Sequence, residues 1–455
     1  MSKAKREYIQ IVIVMCLAGG LVPFMGTSLN LALPHINSDL GLTAVTSSWL
    51  LTTYLLATAI FQIPCARLAD MVGRKKIFVL GAFLFFISAL LSGFATSGTE
   101  LLIYRFVMGL GSAMIFATSV AILVSHTPDK NRGKALGINT AAVYGSLALA
   151  PIIGGFLTDY FGWTSIFFAA AGVGLITALG GFFCVKDNWK AEKGSSFDYI
   201  GAALYAVALS SLIYGFSTLP QLSGFVFIGV GTAFLIAFGW YEKRQTDPVF
   251  NIKLFLKNKV FRMSLLSALI NYASTFAVSF MLSIYLQYIR GFSATDAGLI
   301  LIAQPLVMTF VTIKAGSLSD RRSPTMLATL GMGFVAVGLF FLSFLTLTTS
   351  FYLIIGTLLI FGLGFGLFSS PNSSIIMGSV DAADYGGASA AMGTMRLTGQ
   401  SFSMGLAMMA FALTIGDTDF ATVDPNKLMM AIRLTYGVSA ILCAIGVYTS
   451  SIRER

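Results

Sequence analysis

The sequence predicts an all-α membrane protein with fourteen transmembrane helices, arranged as two related six-helix halves and an inserted helix pair. Of its 455 residues, 56% are hydrophobic and only 11% are charged, whereas roughly 25% are charged in an ordinary soluble domain. A short basic turn at 66–76, A-R-L-A-D-M-V-G-R-K-K, joins two apolar runs and recurs in weaker form at 316–322, G-S-L-S-D-R-R. Asp320 follows Asp70 by 250 positions (320 − 70), which indicates an internal duplication.

Apolar runs locate the predicted spans, since a span needs about 20 mostly apolar residues. The fourteen stretches are 8–30, 45–65, 77–96, 101–125, 135–158, 163–185, 198–217, 222–241, 261–288, 296–315, 325–346, 351–376, 386–414 and 428–450. Of the 29 Lys and Arg residues, 23 lie in segments on one side of these spans, and only Arg290 and Lys427 lie in loops on the other side. Because Lys and Arg are retained on the cytoplasmic face, we expect a plasma-membrane protein with both termini in the cytoplasm.

A second repeat signal is a pair of glycines in predicted spans 4 and 12. Gly109 and Gly111 correspond to Gly362 and Gly364 at a separation of 253 positions (362 − 109). Spans 1–6 and 9–14 therefore form the repeat, and spans 7 and 8 are inserted between them. The expected domains are an N-terminal half at 1–190, the inserted pair at 191–245 and a C-terminal half at 246–455. Parallel repeats of this kind build transporters whose halves rock around a central site.

Composition and motifs argue against other classes of function. The net charge of +10 comes mostly from basic residues in short loops beside apolar runs, so nucleic acid is not an expected partner. The four cysteines form no C-x-x-C pair, and His35 and His126 are far apart, so no metal, cofactor or enzyme active site is expected. No filter-like segment suggests a channel, and no Walker motif suggests ATP as the energy source. The expected partners are a small-molecule substrate and the lipid bilayer, with the protein as a monomer.

Two arginines lie deep within predicted spans. Arg105 is about one turn into span 4, and Arg396 lies ten residues beyond Gly386 (396 − 386), or about 15 Å along a helix. Exposing either to lipid costs roughly 2.5–3.5 kcal/mol, so each is expected to face protein or a wet cavity. Polar residues at helical spacing predict the wall of a central substrate cavity, which comprises Thr27, Asn30, Arg105, Ser112, Arg396 and Gln400. The alternative, in which each arginine only bonds backbone carbonyls at a helix break, stays open.

The two basic turns predict a gate on the cytoplasmic side. The Asp70 carboxylate can accept hydrogen bonds from a facing helix N-terminus or an arginine and so latch the halves together. The predicted gate residues are Asp70, Gly73, Arg74, Asp320 and Arg321. The alternative is that these charges only set the topology. In span 5, Pro151 predicts a local kink, and Gly154 and Gly155 predict a close helix-packing face.

Several of these residues also match the signatures of a known family. Asp70, Gly73, Arg74 and Lys75 match its loop signature between spans 2 and 3, and Arg105 with Gly109 matches its signature in span 4. The segment 150–157, A-P-I-I-G-G-F-L, is similar to the span 5 signature of its exporters. The chain resembles the fourteen-span drug:proton antiporter group of the major facilitator superfamily over nearly its whole length. The resemblance implies the major facilitator fold and multidrug-like export of small organic compounds, driven by protons.

One departure from this group concerns the coupling ion. The group commonly carries an Asp in span 1 two positions before Thr27, where this chain has Met25, and none of the 19 acidic residues falls near the centre of a predicted span. A membrane-embedded carboxylate is the usual device for carrying a proton or holding a cation. The alternative function is therefore a uniporter or anion-coupled transporter of an organic anion or neutral metabolite. We expect neutral or anionic solutes to be handled better than permanent cations.

Overall fold

The computed structural model describes residues 3–127, 132–186, 197–245, 248, 252–319, 321–380, 385–416, 420 and 422–453, and every regular element in these ranges is a helix. The α-helices are α1 (Lys3–Leu40), α2 (Ala44–Val72), α3 (Arg74–Ser92), α4 (Gly98–Ser125), α5 (Arg132–Phe161), α6 (Thr164–Cys184), α7 (Tyr199–Ser217), α8 (Leu222–Glu242), α9 (Ile252–Lys257), α10 (Lys259–Thr275), α11 (Ala277–Ile284), α12 (Ala294–Leu301), α13 (Ala303–Ser319), α14 (Pro324–Leu342), α15 (Phe351–Gly378), α16 (Tyr385–Thr414) and α17 (Pro425–Ser451). A π-helical turn, Tyr285–Ile289, extends α11.

Helices α1–α6 form one bundle, named the N-bundle, and α10–α17 form a second, named the C-bundle. The packing within the two bundles corresponds helix for helix. Helix α4 packs on α2 and α3 as α15 packs on α13 and α14, and α1 packs on α5 as α10 packs on α16. The fold is therefore the all-α, duplicated arrangement that the repeated sequence signals predict.

Paired glycines make equivalent contacts in the two bundles. A Cβ on Gly109 would come 2.6 Å from the carbonyl oxygen of Tyr54, and a Cβ on Gly362 would collide in the same way with the carbonyl oxygen of Gln304. Tyr54 and Gln304 are themselves 250 positions apart (304 − 54). Because little hydrophobic force drives helices together in lipid, close backbone approach supplies the packing energy instead. The glycine repeat thus brings α4 against α2 and α15 against α13.

Two glycines with positive φ end helices at turns. Gly41, with φ of 62°, follows α1 and allows the Leu42 N–H to bond the Asn37 carbonyl at 3.1 Å. Gly73, with φ of 119°, separates α2 from α3. Side chains with a Cβ rarely adopt such angles, which explains glycine at both turns. Helix α1 runs to Leu40 although the predicted span ends at residue 30, because hydropathy locates the membrane-crossing stretch and not the end of backbone hydrogen bonding.

The inserted pair lies at the side of the two bundles. Helix α7 packs against α2 and α16, with the rings of Trp49 and Tyr214 6.2 Å apart and a 3.1 Å hydrogen bond between the Tyr205 and Thr398 hydroxyls. Helix α8 packs chiefly on α7 and presents apolar side chains outward, such as Ile236, which is 68% exposed. The predicted domain boundaries near 190 and 245 adjoin residues outside the described ranges and stay predictions.

Thirteen helical segments of the described chain are long and apolar enough to cross a membrane. The predicted span without a counterpart among them is 386–414, which corresponds to α16. This helix carries Thr394, Arg396, Gln400 and Ser401 along its middle, and such residues lower its hydropathy. Helix α16 nevertheless packs among α2, α10 and α17. The membrane-helix prediction is confirmed for thirteen spans, and the count of fourteen is not confirmed in full.

Candidate functional site

The two ends of the molecule carry different parts of the chain. The start of α1 and the end of α6 meet at one end, where the Lys186 ammonium lies 2.5 Å from a Glu7 carboxylate oxygen. Because successive long helices alternate in direction, the start of α1 and the end of α17 both lie at this end, named the termini end. The connections from α1 to α2 and from α11 to α12 lie at the opposite end, named the far end.

A cavity of about 180 Å³ lies between the N-bundle and the C-bundle, midway along the helices. Helices α1, α2, α4 and α5 form one wall, and α10–α13, α15 and α16 form the other. Since one buried water needs about 10–15 Å³, this space would hold on the order of ten waters. This central cavity is therefore large enough to admit a small organic solute.

Four of the six predicted cavity residues line the central cavity, namely Thr27, Asn30, Arg396 and Gln400. The Arg396 guanidinium carbon lies 5.3 Å from the centroid of the Phe116 ring. Asn30 is only 4% exposed, and its Oδ1 accepts no hydrogen bond from the described residues. An unsatisfied buried amide oxygen costs free energy, so Asn30 offers an acceptor to a bound solute while Arg396 offers donors.

Aromatic rings form much of the remaining wall. They belong to Tyr54, Phe116, Tyr144, Tyr272, Phe276 and Phe365. Sequence reasoning did not single them out, because 39 Phe and 16 Tyr occur in the chain and an aromatic residue in a span equally fits lipid contact. The sequence nevertheless contained a pattern that could have identified one of these rings as cavity-facing. Tyr272, Thr275 and Ser279 recur at helical spacing and all line the cavity.

The other two predicted cavity residues, Arg105 and Ser112, lie one layer behind the wall. Arg105 is fully buried; its Nε donates to the Leu50 carbonyl at 3.0 Å, and its guanidinium carbon lies 4.3 Å from the centre of the Tyr54 ring. The Tyr54 hydroxyl bonds the Ser112 hydroxyl at 2.9 Å and the Val22 carbonyl at 3.2 Å. Arg105 thus has the backbone-carbonyl bond of the alternative interpretation, and Tyr54 is the residue that reaches the cavity.

The lining of the central cavity contains no carboxylate among the described residues. Met25, which stands where the drug:proton antiporter group commonly has Asp, is fully buried in the hydrophobic core and does not line the cavity. Within the described chain, no group of three or more His, Cys, Asp or Glu side chains could hold a metal ion. Arg396 is therefore the charged side chain that the described wall presents to a solute.

A carboxylate closes the far end between the bundles. Asp159, near the end of α5, accepts hydrogen bonds from the first two backbone N–H groups of α12, at 3.3 Å from Ala294 and 2.7 Å from Thr295. The N-terminus of a helix carries unsatisfied N–H groups and a partial positive charge, which favour an anion there. This contact joins the N-bundle to the C-bundle.

Two further hydrogen bonds join the bundles in the far half of the molecule. The Ser283 hydroxyl donates to the Asn30 carbonyl at 2.8 Å, and the Asn37 amide donates to the Tyr288 hydroxyl at 3.2 Å. The partners are 253 and 251 positions apart, close to the repeat offset. Equivalent positions of α1 and of the segment formed by α11 and the π turn therefore meet each other across the interface. Together with Asp159 they form the set named here the far-end clamp.

The predicted gate residues belong to the termini end. Gly73 and Arg74 stand at the junction of α2 and α3, and Arg321 follows α13, with its backbone N–H 3.0 Å from the Leu318 carbonyl. The Asp70 side chain and the whole of Asp320 lie outside the described residues. The latch at these positions stays a prediction.

The predicted packing residues lie where α5 meets two neighbours. A Cβ on Gly154 would come 2.9 Å from the Ser28 carbonyl oxygen in α1, and a Cβ on Gly155 would come 2.5 Å from the Ala294 carbonyl oxygen in α12. The Pro151 carbonyl lies against Gly298 of α12 in the same way. One glycine thus packs α5 within the N-bundle and the next packs it on the C-bundle, beside the far-end clamp.

Two duplicated helical bundles around a shared cavity, joined to each other at the far end, are an architecture found in membrane transporters. The chain matches the Major Facilitator Superfamily over residues 15–404 and belongs to that family. It is a multi-pass membrane transporter, and not an enzyme.

Curated relatives agree with this class, and a solved structure shows the same fold. The chain is 28% identical over 444 residues to the riboflavin transporter RibZ of Clostridioides difficile (strain 630), covering 97% of this chain and 96% of RibZ. It is 26% identical over 403 residues to the multidrug resistance protein Stp of Mycobacterium tuberculosis (strain CDC 1551 / Oshkosh), covering 87% and 74%. A crystal structure of a bacterial homologue of the human lysosomal transporter Spinster, inward-facing and unoccupied, has a TM-score of 0.71 at 16% identity and covers 100% of this chain and 98% of that one. The resemblance to the drug-efflux group of the superfamily is thereby confirmed.

Proposed function

We propose that this protein exports small organic compounds of the multidrug type from the cytoplasm across the plasma membrane. The proposal depends chiefly on the central cavity, which combines Arg396, Gln400 and Asn30 with six aromatic rings. Rings offer adaptable apolar contact, and a few fixed polar groups orient the solute. The span 5 segment 150–157 supports export, and the names of the relatives RibZ and Stp support small organic substrates.

The charge of the wall favours neutral or anionic solutes. Arg396 faces the cavity, and no carboxylate of the described lining balances it. Inside a protein the effective dielectric constant is lower than in water, so a cationic solute beside an arginine is repelled and an anionic one is attracted. Permanent cations are therefore expected to be poor substrates.

The lack of a carboxylate in the described cavity wall also bears on whether protons drive transport. Proton antiport is what the resemblance implies, yet the described wall offers no carboxylate to carry the proton. This observation favours the second candidate function, a uniporter or anion-coupled transporter of an organic anion or neutral metabolite. A proton carrier elsewhere in the chain would restore antiport. The dependence of transport on a pH gradient separates these two functions.

The proposed orientation places both termini in the cytoplasm, because the basic segments lie at the termini end. The far end is then extracellular, and this conformation is closed to the outside by the far-end clamp. Alternating access by a monomer would require the far-end clamp to open and the two bundles to close against each other at the termini end.

Transport into everted proteoliposomes tests the proposal with a dicationic dye, a neutral lipophile and an organic anion, each with and without an imposed pH gradient. We expect uptake of the neutral and anionic compounds to exceed uptake of the dication. Strong uptake of the dication driven by the pH gradient would contradict the electrostatic argument and support the family's usual antiport. Uptake of none of the three by folded protein would contradict the proposed substrate class.

A further inference from the structure

A groove lies on the outer surface of the N-bundle near the termini end, between the start of α3 and the end of α6. Its apolar wall is formed by Val79, Leu80, Phe83 and Phe182. Leu80, Phe83 and Phe182 are 47%, 46% and 56% exposed, so this wall faces away from the bundle. The groove is open to the surroundings and has a volume of about 540 Å³.

Three lysines, Lys75, Lys76 and Lys186, line the same groove. The Lys75 ammonium lies 5.7 Å from the centroid of the Phe182 ring, which holds its charge beside the apolar wall. Among the described residues, Glu7 pairs with one of these lysines, and its Oε1 lies 2.5 Å from the Lys186 ammonium. Among the described side chains, three ammonium groups and one carboxylate give this part of the groove a net positive charge.

Helix α3 adds to this positive end of the groove. It starts at Arg74, directly before the lysines, and its N-cap residue Gly73 has no side chain to accept from the first-turn N–H groups. The N-terminus of a helix favours a negative charge within its first turn. The groove therefore combines a cationic end at the start of α3 with an apolar wall along the following turns of the same helix.

We propose that this groove binds one anionic phospholipid, with the lipid phosphate at the three lysines and one acyl chain along the apolar wall. A lipid fits both halves of the site, because its headgroup and acyl chain are joined at the depth where the lysines meet the apolar side chains. A free phosphate would use only the lysines, and a neutral phospholipid only the wall. The site is separate from the central cavity and does not depend on the substrate that the protein carries.

Native mass spectrometry of the purified protein tests this site. The probes are dioleoyl-phosphatidylglycerol, the matched zwitterionic dioleoyl-phosphatidylcholine, and inorganic phosphate. We expect the wild-type protein to retain one phosphatidylglycerol in preference to phosphatidylcholine, with no displacement by inorganic phosphate. Lys76→Gln/Lys186→Gln is expected to weaken retention at least fivefold, since an anionic surface attracts each nearby lysine by about 1 kcal/mol.

Lys257→Gln/Lys259→Gln is the matched control, because it removes two exposed lysines, one from α9 and one from α10, at the same end. This control should retain the lipid as the wild type does. Equal loss in both double variants would show general surface attraction and overturn the specific site. Displacement by inorganic phosphate would overturn the lipid and indicate a free anion. Phe182→Ala supplies an independent check, since it should weaken retention of the dioleoyl lipid by removing part of the wall without changing any charge.

Discussion

Arg396→Gln is expected to lower the transport rate of an organic anion by roughly tenfold to a hundredfold, since a hydrogen bond to a charged group is worth about 1.5–3 kcal/mol. Arg396 lines the central cavity, and the described wall contains no other charged side chain. A neutral lipophile relies mainly on the aromatic rings, so its rate should change by less than about threefold. The measurement is initial uptake into everted proteoliposomes for both compounds.

Arg433→Gln provides the matched control for this prediction. Arg433 belongs to the same bundle and its Nε donates to the Leu345 carbonyl at 2.5 Å, but it does not line the cavity. The same chemical change there should leave the ratio of anion to neutral transport unchanged. An equal loss of uptake rate for both compounds in Arg396→Gln would contradict a role in solute recognition. It would indicate instead that Arg396 acts in the conformational change of the two bundles.

Asp159→Ala is expected to weaken the closed state of the far end. The substitution removes the acceptor of two backbone N–H groups of α12, a change comparable to the loss of a helix cap, about 0.5–1 kcal/mol at an exposed site. The ratio of closed to open molecules should fall about two- to fivefold. Adding Tyr288→Phe removes the acceptor of the Asn37 amide and should raise the shift to about tenfold. Labelling of Ser279→Cys in the cavity by a membrane-impermeant thiol reagent added at the far end measures this population.

Asp39→Ala is the control for the clamp. Asp39 lies at the same end and accepts a 2.8 Å hydrogen bond from the Trp163 indole N–H, but both residues belong to the N-bundle. Its substitution removes an equivalent carboxylate without touching the interface between bundles. Labelling should therefore stay at the wild-type rate in Asp39→Ala. Identical rates in Asp159→Ala and the wild type would contradict the clamp.

The repeat could be predicted well because two helix backbones that pack closely require glycine at the contact, and glycine is visible in the sequence. Gly109 and Gly362 must lack a Cβ for α4 and α15 to pack, so the glycine spacing carried structural information directly. Span positions were predictable for a similar reason, since lipid selects apolar residues along a whole helix. The span at 386–414 was also predicted, and α16 occupies it, although polar residues such as Arg396 and Gln400 lower its hydropathy.

The site was harder to predict because the depth of a residue along a helix does not show which way its side chain points. Arg105 and Arg396 both lie deep within helices, yet Arg105 bonds a carbonyl inside the N-bundle and Arg396 faces the cavity. Arg453 follows the last predicted span, where a basic residue is expected to be an exposed topology signal, but it is buried at the end of the C-bundle and donates to the Asn372 side chain at 2.6 Å. The role of Asp159 depends on which helix terminus it meets in the other bundle, and no local pattern in the sequence contains that information.

Distances across both ends of one molecule test alternating access around the central cavity most directly. Spin labels are placed at Thr99→Cys and Thr348→Cys on exposed far-end positions of the two bundles, and at Val72→Cys and Arg322→Cys at the termini end. The background replaces the four native cysteines. Adding a transported compound should lengthen the far-end distance and shorten the termini-end distance in the same population. Distances that stay unchanged, or that lengthen together at both ends, would contradict two bundles that rock around the cavity.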